Sequence, residues 1–443
     1  MKSTKYSSIQ TEIPGPKSEQ LVARENQHLA PGLQGFAQWA GIAVDSALGS
    51  TITDVDGNTF IDFIGGIGVG GIGHSHPKYV AALKAQIEKI AMGSFTSEPR
   101  TRLLERLAAH RPSNDLHRTQ LYSSGAEAVE SALRLARCST GKSEFVSFWG
   151  AFHGKTQGAL ALMGSDFKQG FGPLAPGAHL VPYANCYRCP FKLKNPDCGL
   201  ACVEFARKQL KQTRTGGIAA FIVEPMQGTA GNIVPPKDFL PAIKELAREN
   251  DALLIVDEMI TGFGRTGTYW GTDHSGTEAD IVTLGKQFGG GFPISAVLSK
   301  DSVVESKPWS NPSGSSSSYG GNPLAAAAAA SALEIIDEEH LVENSKAMGE
   351  LLIAGLKKLQ DKYPIIGEVH GSGLFVGVEL VKDQKTREPL PVEKTRQLFK
   401  ECLKRGLLTM SYSASFRIQP AMTIDAAAID EALGILNEAF QAI

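Results

Sequence analysis

Between about residues 60 and 300, short apolar runs alternate with longer stretches in which apolar residues return every three or four positions. The short runs RTQLYS, EFVSFW, HLVPYA, IAAFIVEP, LLIVDE, DIVTL and PISAVLS predict strands. FIV and LLIV are apolar at consecutive positions and suit strands covered on both faces. GAEAVESALRLARC, ACVEFARKQLKQT and PKDFLPAIKELAREN predict amphipathic helices. Strand and helix in alternation predict an α/β fold with a large, mostly parallel, doubly wound sheet. After the small-residue loop GSSSSYGG, NPLAAAAAASALEIIDEE predicts a long helix leading out of the sheet region. The pattern then becomes α+β: SKAMGELLIAGLKKLQ, VEKTRQLFKECLKRG and IDEALGILNEAFQAI as helices, GLFVGVELV and SFRIQ as strands. Near the start, IAVDSALGSTITDVDGNTFIDF reads as a hairpin turning at Asp56 and Gly57. The expected organisation is a large domain over 61–322 and a smaller α+β domain built from 1–60 and 323–443.

At 443 residues the chain is long enough for two or three domains. Its 44 basic and 46 acidic residues give a net charge of −2 with both signs interspersed, which favours neither nucleic acid nor an anionic membrane as partner. No run is apolar and long enough for a signal peptide or a membrane span, so a cytoplasmic protein is expected. Six cysteines in a chain of this length predict reduced thiols and no disulfide framework.

TLGKQFGGG sets Lys286 at the end of a predicted strand with glycines behind it. A P-loop is excluded, because Lys286 is followed by Gln287 and no glycine loop precedes it. Asp257 and Glu258 close LLIVDE, Asp257 29 residues before Lys286, so one carboxylate belongs with the lysine at the sheet edge where open α/β sheets bind ligands. An aspartate and a lysine so placed suit pyridoxal phosphate, whose aldehyde condenses with the amine and whose ring nitrogen the carboxylate keeps protonated. They suit a buried ion pair equally well. Ser123, Ser124, Gly125 and Ala126 stand before a helix, either as an anion site or as a plain serine cap.

DGNTFIDFIGGIGVGGIGHSHP, SSGAEAVESALRLAR, FHGKT, VEPMQG, VDEMITGFGRTG, TLGKQFGGGFP, SSSYGGNPLAAAAA and FRIQPAMTI follow one another in a way that resembles the class III (ω-amino acid) aminotransferases of fold type I, which include 4-aminobutyrate aminotransferases. The resemblance implies a pyridoxal 5'-phosphate enzyme that moves an amino group from an ω-amino acid, amine or amino acid to pyruvate or 2-oxoglutarate by a ping-pong mechanism. It makes Lys286 the Schiff-base residue and proton carrier and Asp257 the partner of the ring nitrogen. It puts Phe152 and Met259 on the two ring faces, Ser124, Gly125 and Ala126 at the phosphate, and His153 and Glu224 among the cofactor contacts. Ser318 would reach the phosphate of a neighbouring subunit, so that a homodimer or a dimer of dimers shares its active sites. Ile67, Lys155, Thr229 and Arg417 would meet substrate, with Arg417 on the α-carboxylate.

Three positions depart from the 4-aminobutyrate pattern. Thr229 stands where a glutamate usually pairs with the substrate arginine, Lys155 where an arginine holds the distal carboxylate, and Ile260 where a glutamine faces the cofactor. Together they favour a less polar amino donor. A racemase or epimerase on the same scaffold is the alternative, since the same carbanion can be reprotonated on its other face. NCYRCPFKLKNPDCGLACVEF, an insert over 185–203, spaces Cys186, Cys189, Cys198 and Cys202 in a way compatible with a small structural zinc site or with buried thiols. A non-catalytic, zinc-stabilised binding protein would be organised around those four.

Overall fold

The computed structural model describes residues 5–443. Packing divides it into one unit of Lys78–Glu339 and another running up to Pro77 and resuming over His340–Ile443. The divisions thus lie after Pro77 and Glu339, where the sequence suggested 60 and 322. The second difference has a clear cause. The alanine-rich helix Pro323–Glu338 does not leave the sheet unit but packs along the helix Glu98–Ala109 of the same unit. Arg106 reaches Glu334 at 2.9 Å, Arg102 pairs with the same carboxylate, and His110 lies 2.9 Å from Asp337.

The sheet unit holds seven strands, β1 (Arg118–Tyr122), β2 (Glu144–Phe148), β3 (Ala178–Val181), β4 (Ile218–Val223), β5 (Leu253–Asp257), β6 (Ile281–Leu284) and β7 (Ser295–Ser299). Their order is β1-β7-β6-β5-β4-β2-β3, and only β7 runs against its neighbours. This is the mostly parallel, doubly wound α/β sheet expected. β4 is buried at all six positions, as a strand covered on both faces must be. The helix Gly125–Thr140 packs its alanine and leucine face on the sheet with Ala128, Val129, Ala132, Leu133, Leu135 and Ala136 buried.

The other unit contains the three-stranded meander Val44–Leu48, Thr51–Asp54 and Thr59–Asp62, extended by Leu407–Leu408. A second sheet of Ile366–Ser372, Phe375–Leu380 and Ser415–Ile418 carries the helix Leu341–Lys362, against which the helix Ala426–Gln441 packs. Among the described residues no helix is long and apolar enough to cross a membrane.

Candidate active site

β5 and β6 are parallel neighbours with Asp257 opposite Thr283, and Glu258 N donates to Thr283 O at 3.0 Å. Both strands therefore end together at the C-terminal sheet edge. Asp257 is buried, and one carboxylate oxygen accepts from Met259 N at 3.1 Å. The other lies 2.7 Å from Nδ1 of His153, which the loop after β2 delivers to the same edge. His153 Nε2 and Thr283 Oγ1 are buried with no hydrogen-bond partner among the described residues. Buried polar atoms are nearly always satisfied, so two orphans beside one carboxylate fit a polar ring that the chain itself does not supply.

Lys286 follows β6 after one glycine and has φ of 49°, the left-handed region. Outside glycine that conformation costs about 1–2 kcal/mol, and such strain persists where its surroundings over-determine it, often at functional sites. The turn Lys286–Gly289 is held from three sides. Gln287 Nε2 donates to Gly262 O, the Phe288 ring stacks on Phe263 with centroids 5.3 Å apart, and Tyr79 donates its hydroxyl to Gly289 O at 2.6 Å.

The helix start at Gly125 is a formed cap. Ser124 Oγ accepts from Glu127 N at 3.2 Å and Glu127 Oε2 accepts from Ser123 N at 2.9 Å. The serine hydroxyl is thus committed to the helix, and the anion capacity rests on the N–H groups of Gly125 and Ala126, which have no intrahelical acceptor. Glycine is required here by close approach: a Cβ on Gly125 would stand 3.0 Å from Met259 Sδ, and one on Gly285 2.5 Å from the same sulfur. Met259 is therefore wedged between the helix start and the residue before Lys286. Gly154 brings the FHG turn onto the helix in the same way, since its Cβ would lie 2.7 Å from that of Ala126.

Glu224, at the end of β4, accepts from Phe152 N at 3.0 Å and Gly228 N at 2.9 Å. Burial raises its carboxyl above the usual range, with Asp257 adding to the rise and His153 opposing it. Ile260 is buried and in contact distance of Gly228, so it borders the turn that carries Thr229. Two neighbours, Thr283 and Phe167, were not singled out from the sequence, and Glu258 stood out there only as the second carboxylate closing LLIVDE. Thr283 hid inside a strand. Glu258, pushed up to about 7 by burial, accepts from Thr261 Oγ1, Gly271 N at 3.0 Å, and Thr272 N at 2.9 Å. Phe167, in the loop beyond FHG, stands edge-on to Phe152.

Ser318 is exposed on the small-residue loop. In the other unit, Arg417 sits on Ser415–Ile418 opposite Gly377, and Gln419 N donates to Phe63 O at 2.9 Å. Ile67 follows on the same loop with φ of 64°, and a Cβ on Gly65 would strike Gln419 O at 2.3 Å. The fold thus brings the Ile67 loop against the strand of Arg417. Cys186, Cys189, Cys198 and Cys202 border one cavity of about 20 Å³. Burial and the neighbouring Cys198 and Cys189 push the Cys202 thiol up. Among the described residues no group of three or more His, Cys, Asp or Glu side chains is arranged to hold a metal ion.

A model of the family described as Aminotransferase class-III matches residues 36–440. The 5-aminovalerate aminotransferase DavT of Pseudomonas aeruginosa is 36% identical over 432 residues, covering 96% of this chain and 99% of that protein. A leucine/methionine racemase of Thermococcus litoralis is 34% identical, covering 90% of this chain and 91% of its own. Among solved structures, a PLP-bound amine transaminase from an uncultivated Pseudomonas species matches with a TM-score of 0.87 at 29% identity, covering 94% of this chain and 98% of its own. An (S)-enantioselective omega-transaminase from Thermomicrobium roseum matches with a TM-score of 0.89 at 31% identity, covering 96% and 98%.

Proposed function

The chain belongs to the class-III aminotransferases, fold type I pyridoxal-phosphate enzymes that move an amino group from an amino compound to a keto acid, and we propose that its donor is an ω-amino acid or amine with a largely apolar body. The observation that carries the site assignment is the cluster at the ends of β5 and β6. There a buried Asp257 is fixed by His153, and Lys286 is held in a left-handed turn just past the end of the neighbouring strand.

Bound pyridoxal phosphate supplies an electron sink for charge developing on the amino-bearing carbon. The residues do the rest. Asp257 keeps the ring nitrogen protonated, and His153 fixes the orientation of that carboxylate. Gly125 and Ala126 offer backbone N–H groups to the phosphate. Phe152 and Met259 confine the ring, with Ser124 and Glu224 holding the segments that carry these contacts. Lys286 anchors the cofactor and afterwards moves a proton at the substrate carbon. Ile67, Thr229, Lys155 and Arg417 are assigned to substrate, Arg417 to its carboxylate because a guanidinium matches that group bidentately. Thr229 in place of a carboxylate supports the apolar donor, with pyruvate or 2-oxoglutarate as acceptor.

The working form is proposed to be a cytoplasmic homodimer in which Ser318 completes the neighbour's phosphate site. Ile87, Ile90, Met92 and Phe95 are all exposed, Phe95 at 90%, and such an apolar run is what a subunit contact covers.

Borohydride reduction of the cofactor-loaded protein, followed by peptide mapping, is expected to place the adduct on Lys286, and Lys286→Ala to lose it together with transamination. An adduct that survives in Lys286→Ala refutes the assignment. Incubating one enantiomer without keto acid separates the racemase reading: inversion without stoichiometric ketone would replace the aminotransferase.

A further inference from the structure

The loop that follows β2 closes on itself at its base. Gly150 N donates to Gly164 O and Gly164 N to Ala151 O, both at 2.9 Å. Its first half, with Phe152 and His153, is fastened to Glu224 and Asp257 at the strand ends. Its far half is fastened by Glu130, a half-buried residue of the helix Gly125–Thr140. One carboxylate oxygen, Oε1, accepts from Thr156 Oγ1 at 2.7 Å, Gly158 N at 2.7 Å and Ala159 N at 3.1 Å. Those two N–H groups open the short helix Gln157–Ala161 and have no acceptor inside it. Gly158 permits the approach, since a Cβ there would stand 2.5 Å from Glu130 Oε2.

We propose that Glu130 is a positioning residue for the cofactor: it ties the loop that carries Phe152 and His153 to the helix that offers Gly125 and Ala126. Contacts to the ring and contacts to the phosphate then keep one fixed spacing. The inference rests on the aminotransferase reading and on the roles proposed above for those four residues. Two contacts join loop and helix, and they act in opposite senses. Gly154 packs on Ala126, where a Cβ would come within 2.7 Å, so this contact resists approach and does nothing against separation. Glu130 resists separation, because three donors of the loop converge on one oxygen of the helix. It stands five positions after Gly125, about 7 Å along the same helix axis, so the hold is applied close to the phosphate end. Bonds to a charged acceptor are about twice as strong as neutral ones, which makes the carboxylate a better tie than an amide of the same shape.

The test measures cofactor retention by the full chain, dialysed against a series of free pyridoxal-phosphate concentrations, and the circular dichroism that the bound cofactor acquires from fixed surroundings. Glu130→Ala is expected to weaken retention roughly tenfold, the worth of about one bond to a charged group, and to shrink the dichroism band at saturation. Glu130→Gln, whose amide oxygen still accepts, is expected to lose only about two- to threefold. Phe152→Ala tests the route: in that background Glu130→Ala should cost about twofold or less, because the contact it positions is already gone. A full tenfold loss there overturns the proposal. So does a Glu130→Ala protein whose melting temperature falls while retention and dichroism match the parent, since that is what a purely structural tie predicts. If Glu130→Ala shows no folding transition, Glu130→Gln and Thr156→Val, which removes one of the three bonds, carry the comparison; retention equal to the parent in both refutes the positioning. Borohydride trapping on Lys286 reads the function separately. A trapped adduct with unchanged retention sinks the positioning and leaves the function standing, whereas the retention pattern without an adduct on Lys286 does the reverse.

Discussion

Replacing Gly285 by alanine places one methyl group at the most crowded point of the site. Gly285 has φ of 179°, so alanine adopts its backbone without strain and the whole effect comes from packing. The new Cβ would stand 2.5 Å from Met259 Sδ, 3.5 Å from its Cε and 3.6 Å from Ser295 Cβ. Ordinary contact between such atoms is about 3.5–4.0 Å, so the sulfur must retreat by roughly an ångström. A methionine in open space would do this at little cost, being flexible. Here the opposite side is closed, since a Cβ on Gly125 would meet the same sulfur at 3.0 Å and the side chain is buried. The expected cost is that of overpacking a confined site, about 1–3 kcal/mol, and the displaced side chain is the one proposed to press on the cofactor ring. Gly285→Ala is therefore expected to lower the melting temperature by a few degrees and to weaken pyridoxal-phosphate binding severalfold. Met259→Ala alone should destabilise by about 2–5 kcal/mol. The double variant should be more stable than the two losses added, with a coupling of about 0.5–3 kcal/mol. Thermal melts with and without cofactor and a cofactor titration measure all three variants. Strict additivity, or a Gly285→Ala protein as stable as its parent, would show that Met259 does not occupy this wedge.

Other consequences are measured separately. Glu258 has its folded pKa raised to about 7 from about 4.3 in an unfolded chain. The stability it contributes is thus fully present below about pH 4.3 and is lost as the pH rises through 7, amounting to about 4 kcal/mol. Unfolding free energies measured across that window should decline, and Glu258→Gln should flatten this part of the profile; an unchanged slope would remove Glu258 as its cause. Asp257→Ala leaves His153 without its 2.7 Å partner and the proposed ring nitrogen without its carboxylate, which should weaken cofactor binding at least tenfold, since bonds to charged groups are worth about 1.5–3 kcal/mol. A cofactor affinity within twofold of the parent would rule out that contact. Glu334→Ala removes the shared partner of Arg102 and Arg106 and should cost only about 1 kcal/mol while leaving cofactor affinity alone, as read by melting and titration.

The sheet was legible because burial on both faces leaves a plain trace: FIV in β4 is buried throughout, and LLIV in β5 is buried at every position after the half-buried Leu253. The helix Glu98–Ala109 left almost none. Only Leu103 and Leu107 are fully buried on it, and EPRTRLLERLAA otherwise reads as solvated polymer. The helix Pro323–Glu338 was legible as a helix but not as to its neighbour, because alanine packs against either unit and its partners Arg102, Arg106 and His110 lie more than two hundred positions away. In the site, the pattern alone put Lys286 and Asp257 at neighbouring strand ends, where an ion pair fitted as well as a cofactor site. The left-handed φ of Lys286 and the wedge of Met259 could not be read there, since each depends on groups brought together from distant parts of the chain.

The pair Asp257 and Glu258 shows why a sequence can display the chemistry of this site without the machinery that enforces it. Adjacent residues leaving a strand point to opposite sides, and the two carboxylates accordingly enter different networks. Asp257 turns to His153 and to the two orphaned polar atoms. Glu258 turns away and gathers Thr261, Gly271 and Thr272, closing the loop that follows β5 into a fixed body. That body then holds the lysine turn, because Gly262 O receives Gln287 and Phe263 stacks on Phe288, the two residues after Lys286. The strain at Lys286 is thus sustained by a buried acid that makes no contact with Lys286 itself, through a loop it stitches shut. One carboxylate of the doublet is the one proposed for the reaction and its neighbour serves the geometry, and the two differ in the direction each leaves the strand.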